Sequence, residues 1–172
     1  ICKKNNCSSL KLSKNEKERL SFWAGRKAAF PACGAMAPDY YCMDGSIPRG
    51  KLTEALLEIK TLSKKYNLPV ANCFHAGDGN MHPLILFDAN KPGDLENCEK
   101  MGAEILRLCV EVGGCLTGEH GVGVEKRDLM FDQYSEQDIE AQLKVKDVFD
   151  PKWLLNGAKV FPLISTQDRR AA

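Results

Sequence analysis

The sequence predicts an α+β fold: an antiparallel sheet with helices on one face, followed by a helical C-terminal segment. Three observations carry this. Leu52, Leu56, Ile59 and Leu62 recur at helical spacing, as do Met101, Ile105, Leu108, Cys109 and Val112. Two strand-like runs, Val70 to Phe74 and Met81 to Phe87, flank Gly77-Asp78-Gly79-Asn80, which is hairpin-turn chemistry. The order of elements is helix, strand, helix, hairpin, helix and then further helices, with no β-α alternation of the kind that builds a parallel sheet.

Residues 1–12 are polar and mixed, and read as a frayed end. Ser13-Lys14-Asn15-Glu16 has the capping-box pattern and opens a helix in which Leu20, Trp23, Ala24 and Phe30 would face a core, with Pro31 as its stop. Tyr40 to Met43 is a short strand broken by Asp44-Gly45. Pro48 suits a first helical turn, so 49–66 is an amphipathic helix, closed by Asn67-Leu68-Pro69. The hairpin follows. Residues 94–112 form a second long helix, stopped by Gly113-Gly114. Cys115 to Gly123 is Gly-rich and irregular. Two shorter helices are expected near 124–134 and 136–148. Trp153 to Phe161 is apolar around Asn156-Gly157, and the tail from Ser165 is polar.

The 172 residues correspond to one domain with ordinary globular composition, 44% hydrophobic and 27% charged. With 24 Lys and Arg against 23 Asp and Glu, the chain lacks the basic excess of a dedicated nucleic-acid binder. No apolar run approaches the ~20 residues that span a bilayer. The eight cysteines include no CxxC pair, and they read as reduced thiols in a cytosolic protein rather than a disulfide scaffold. Ile1 follows no initiator Met and opens no signal sequence, so the chain reads as processed, excised or partial.

The chemistry concentrates in two Gly-rich segments, which hold all three histidines. In His75-Ala76-Gly77-Asp78-Gly79-Asn80-Met81-His82, a loop of residues 77–80 would set His75 opposite His82. Opposed Cβ atoms lie about 4.5–5.5 Å apart, close enough for two imidazoles to share one transition metal. In Thr117-Gly118-Glu119-His120-Gly121-Val122-Gly123, Glu119 can add an oxygen ligand. His120, its neighbour, would point elsewhere in an extended stretch and face a substrate. Two imidazoles and a carboxylate leave coordination positions open, the pattern of a catalytic rather than a structural metal. Against this, an isolated His near a turn is ordinarily a surface or capping residue, and glycines there are ordinarily turn formers. Arg26 can clamp a carboxylate bidentately, although an Arg on a helix is more often a solvated face. Asn156 sits in a turn that either touches a ligand or simply ends the chain. No nucleotide-phosphate loop of the GxGxxG or Walker type is present.

The segments FWAGRKAAFPA (22–32), PDYYCMDGSIPRGKL (38–52), NCFHAGDGNMHPLILFD (72–88), GGCLTGEHGVGVEK (113–126) and FDPKWLLN (149–156) resemble the C-terminal part of FAD-linked 2-hydroxyacid oxidases and dehydrogenases of the vanillyl-alcohol oxidase type. Within that family the likeness is to the glycolate oxidase flavoprotein subunits, with D-lactate and D-2-hydroxyglutarate dehydrogenases as relatives. HAGDGNMH and TGEHGVG, in this order and separation, are its specific signatures.

The resemblance implies a ferredoxin-like cap domain over residues 1–172, with the N-terminal FAD-binding domain lying outside them and holding most of the FAD. It implies a divalent metal (zinc, manganese or iron) on His75, His82 and Glu119, and His120 as the base for the substrate 2-hydroxyl. Arg26 would hold the substrate carboxylate, and Asn156 would lie near the flavin. The expected reaction takes a small 2-hydroxy acid, glycolate or D-lactate-like, to a 2-keto acid by hydride transfer to flavin, with a metal-polarised substrate. An iron–sulfur electron-acceptor subunit and a cytoplasmic location, peripheral to the membrane, are implied as well. The alternative is a non-catalytic metal- or hydroxyacid-binding module derived from such an enzyme. One departure stands out: the family's Asn-Pro-Gly-Lys is here Asn156-Gly157-Ala158-Lys159, which puts the Asn156 contact in question.

Overall fold

A computed structural model describes residues 1–163; the polar tail expected from Ser165 lies outside the described residues. The α+β class holds. A three-stranded antiparallel sheet has the order β1-β5-β3, with β1 Asp39–Cys42, β3 Val70–Asn72 and β5 Pro83–Phe87. The chain then steps into a second pair, β2 (Gly45–Ser46) with β4 (Asn80–Met81), and Ser46 bridges antiparallel to Cys115. Taken together, the strands follow the split β-α-β-β-α-β order, with the last strand reduced to that single bridge.

The two long helices form as expected. A 3₁₀ turn, Arg49–Lys51, leads into α3 (Leu52–Tyr66), which ends at Asn67 with a left-handed φ of 53°. Helix α4 spans Asp94–Glu111. Both lie against one face of the sheet. Period-two alternation sends Met43 and Ile85 to that side, into a core with Ile59, Leu62, Met101, Ile105 and Leu106. The opposite face carries Leu84 and Leu86, with Cys42 and Ala71 beside them, and is covered only in part, by Cys33 and Phe30 of α2 (Ala29–Cys33). This second face bears the chemistry.

Several boundaries differ from expectation. Helix α1 (Glu16–Lys27) is capped by Asn15, whose side chain accepts from Glu18 N, so the cap sits two residues later than Ser13. Pro31 does not stop α1; it lies in the first turn of α2, where its missing N–H costs nothing. Leu20 and Trp23 do not enter a core: they remain 55% and 53% exposed, and α1 buries no residue among those described. Of the helix expected near 124–134, only a 3₁₀ turn (Arg127–Leu129) and the four-residue α5 (Met130–Gln133) form. Helix α6 (Glu136–Phe149) opens with a capping box between Ser135 and Asp138.

Candidate metal and substrate site

The hairpin register differs from the expected one. His75 bridges Asn80 rather than His82, and Cys73 N donates to His82 O. The turn closes earlier because Met81 and Asn80 are engaged by Gly45 and Ser46 of β2. The shift amounts to two residues, one full period of the pleat, so both histidines stay on the same face. They become diagonal neighbours, and their rings meet edge-on at 5.6 Å between centroids.

His82 is the floor of the site, 4% exposed. Its Nε2 lies 2.8 Å from Glu119 Oε1. The His120 ring stacks on it at 5.0 Å and 17°. Glu119 and His120 are half-exposed at the mouth. Donor atoms of Asp44, His82, Glu119 and His120 all lie within 4.8 Å of one another, as do those of Cys42, His82 and His120. His75 stands beside His82 at the exposed rim and is in neither set. Two imidazoles and a carboxylate converging on one point are a donor set that suits a divalent transition metal.

Asp44 and Lys126 were not singled out by sequence reasoning. Asp44, at the break between β1 and β2, is fully buried, and Lys126 is 2% exposed. Lys126 Nζ donates to Asp44 Oδ2 at 3.0 Å and to the Asp44 carbonyl at 2.7 Å. The same carboxylate accepts from Thr117 Oγ1 and from the backbone N–H groups of Gly118, Glu119 and His120. Burial raises the Asp44 carboxyl, but the bonds from Thr117, Glu119, His120 and Lys126 outweigh it and hold the group well below the usual carboxylate range. Asp44-Gly45 reads in sequence as a strand break, and Lys126 as one charge in a helical stretch. The only signal for either is that both lie inside segments that carry the family resemblance.

Arg26 and Asn156 are not brought to this cluster. Arg26 lies on the exposed helix α1, and among the described residues no hydrogen bond or ion pair joins it to the histidines. Asn156 is exposed in a turn with φ 49°. Its segment is tied to the Gly-rich loop by Val160 N to Gly123 O, and to the 3₁₀ turn Arg127–Leu129 by Arg127 Nη1 to Ala158 O. Cys42 Sγ lies 4.0 Å from His82 Nδ1, and burial, aided by the Asp44 charge, pushes its thiol up to about 11. The eight cysteines are free thiols. No described helix is long and apolar enough to cross a membrane.

Comparison with known proteins places the chain in a family. The glycolate oxidase subunit GlcD of Escherichia coli K12 is 54% identical over 164 residues, covering 95% of this chain and 33% of that protein. GlcD of Bacillus subtilis is 32% identical, covering 94% of this chain and 34% of that protein. The mitochondrial D-lactate dehydrogenase [cytochrome] 1 of Saccharomyces cerevisiae is 28% identical, covering 94% and 28%. The chain thus spans about a third of the length of these relatives. The model of the C-terminal domain of FAD linked oxidases matches residues 1–160, and the chain belongs to that family.

Proposed function

We propose that this chain is the substrate- and metal-holding domain of an FAD-dependent 2-hydroxyacid dehydrogenase or oxidase acting on a small substrate such as glycolate or D-lactate. The observation that carries the reading is the convergence of His82, Glu119 and His120 over a buried carboxylate, on the sheet face opposite the two long helices. The names of the relatives, glycolate oxidase subunit and D-lactate dehydrogenase, support the substrate class.

In this reading His82 and Glu119 hold a divalent ion, and His75, whose ring meets that of His82 edge-on at the rim, turns in as its third ligand. Bound there, the ion supplies Lewis acidity toward the substrate hydroxyl, and FAD supplies the two-electron acceptor. His120 takes the 2-hydroxyl proton, since an imidazole can accept a proton near neutral pH. Its half-exposed ring can reach a substrate while its stacking on His82 limits its rotation. Arg26 pairs with the substrate carboxylate, and its place on α1 fits an approach from outside the cluster. Asn156 lies toward the flavin. The FAD-binding domain covers the exposed apolar side of α1 and excludes water from the site. Electrons pass on to an iron–sulfur partner subunit, and the assembly works in the cytoplasm at the membrane surface.

The test is anaerobic addition of glycolate and of D-lactate to the FAD-loaded protein that includes the flavin-binding region. The expected result is bleaching of the flavin absorbance, slowed by about 10²–10⁴ in His120→Ala. An unbleached flavin with every small 2-hydroxy acid would refute the reading.

A further inference from the structure

Residues 117–121 carry Glu119 and His120, yet no strand ladder shapes them. Their form comes from one carboxylate. Successive N–H groups of Gly118, Glu119 and His120 point at Asp44, at 3.1, 3.0 and 3.0 Å. Backbone amides converging in this way make an anion-holding concavity, here filled by a side chain of the same protein. Thr117 Oγ1 donates to the same carboxylate at 2.7 Å and accepts from Gly121 N at 2.8 Å, which closes the loop. On the other side, Asp44 Oδ1 lies 4.0 Å from His82 Nδ1, the ring nitrogen remote from Glu119. One buried group therefore shapes the loop that bears two members of the site and faces the third.

Its charge is held by Lys126, fully enclosed with it. That cation also decides what Asp44 is not. The donor atoms of Asp44 are near enough to those of His82, Glu119 and His120 to join a metal set. However, its oxygens already accept from the loop, and an ammonium at 3.0 Å opposes the approach of a second cation.

We propose that the Asp44–Lys126 pair is the positioning device of the site: Asp44 sets the loop that presents Glu119 and His120, and it is not a metal ligand. The metal part rests on the reading given above; the loop part does not. Carboxylates and other groups behind metal-binding histidines typically change affinity about 10–100-fold when removed.

The experiment compares Asp44→Asn, Lys126→Met and the double variant with the unaltered chain. It uses three readouts: thermal unfolding, amide hydrogen exchange over 117–121, and zinc titration by calorimetry. Each single variant leaves a buried charge without its partner and melts lower. The double variant removes both charges and regains most of the melting temperature. A purely structural role would end there. A positioning role predicts more: the side-chain amide introduced by Asp44→Asn cannot accept from all these donors, because its own NH₂ faces them. In the double variant, exchange at 118–120 rises by about 10-fold or more while α3 and α4 stay protected. Zinc binds about 10–100-fold more weakly at unchanged stoichiometry. Unaltered exchange in 117–121 overturns the proposal. A lost zinc equivalent in the double variant, with loop exchange unchanged, does so too, because it would make Asp44 a ligand. If the unaltered chain takes up no zinc, the metal reading fails, and the exchange data alone decide the loop claim.

Discussion

Glu119 Oε1 meets His82 Nε2 at 2.8 Å although the two residues enter from opposite ends of α4. The helix carries the chain across the back of the sheet and returns it at Cys115, whose bridge to Ser46 delivers the Gly-rich loop to the open face. The contact is therefore a product of topology, and changes in distant backbone should break it.

Gly79 is one such position. It has φ +77°, and a Cβ there would lie 2.1 Å from the Ile47 carbonyl oxygen. Its own carbonyl accepts from Ile47 N, so the backbones cannot separate without losing that bond. Gly79→Ala is expected to cost about 2–4 kcal/mol, from left-handed strain plus overpacking. Urea denaturation measures it.

The buried carboxylate predicts an acid limb. Asp44 has a folded-state pKa below its unfolded value, so its stabilisation is complete above about pH 4 and is lost as pH falls toward the lowered value. The Asp44→Asn, Lys126→Met double variant should lose less stability between about pH 4 and pH 2 than the unaltered chain. Denaturation midpoints across that range check this.

Thiol reactivity should separate by environment. Burial pushes the Cys98 and Cys109 thiols up to about 12, and Cys42 up to about 11. Since the thiolate is the nucleophile, these three should resist iodoacetamide at pH 8, while the exposed Cys2, Cys7 and Cys115 react. Peptide mass spectrometry of the native, alkylated chain reads this directly.

The exposed apolar side chains should make the chain associate with itself. Leu20, Phe22 and Trp23 on α1, and Val145, Val148 and Phe149 on α6, all face outward. Light scattering should give a mass above that of a monomer, reduced by Trp23→Glu. A clean monomer would count against it.

The two long helices were legible because their apolar spacing is local, and so was the hairpin turn. The register was not. Asn80 and Met81 also pair with β2, while Asn80 still bridges His75, a long-range choice that the local run does not encode. The error was two residues, so the shared face of His75 and His82 survived it. Asp44 and Lys126 looked like ordinary charges because a buried ion pair becomes visible only when both ends are placed. In α1 the helical spacing was legible, but the burial expected of Leu20 and Trp23 was not met, because spacing alone does not say which face packs.

The central claim is a divalent metal centre on the open sheet face. Its most direct test is the metal content of the purified, untagged chain beside a His75→Ala, His82→Ala double variant. The account predicts about one equivalent in the unaltered chain and none in the variant. No metal in the unaltered chain, or an equivalent that survives loss of both histidines, would contradict it.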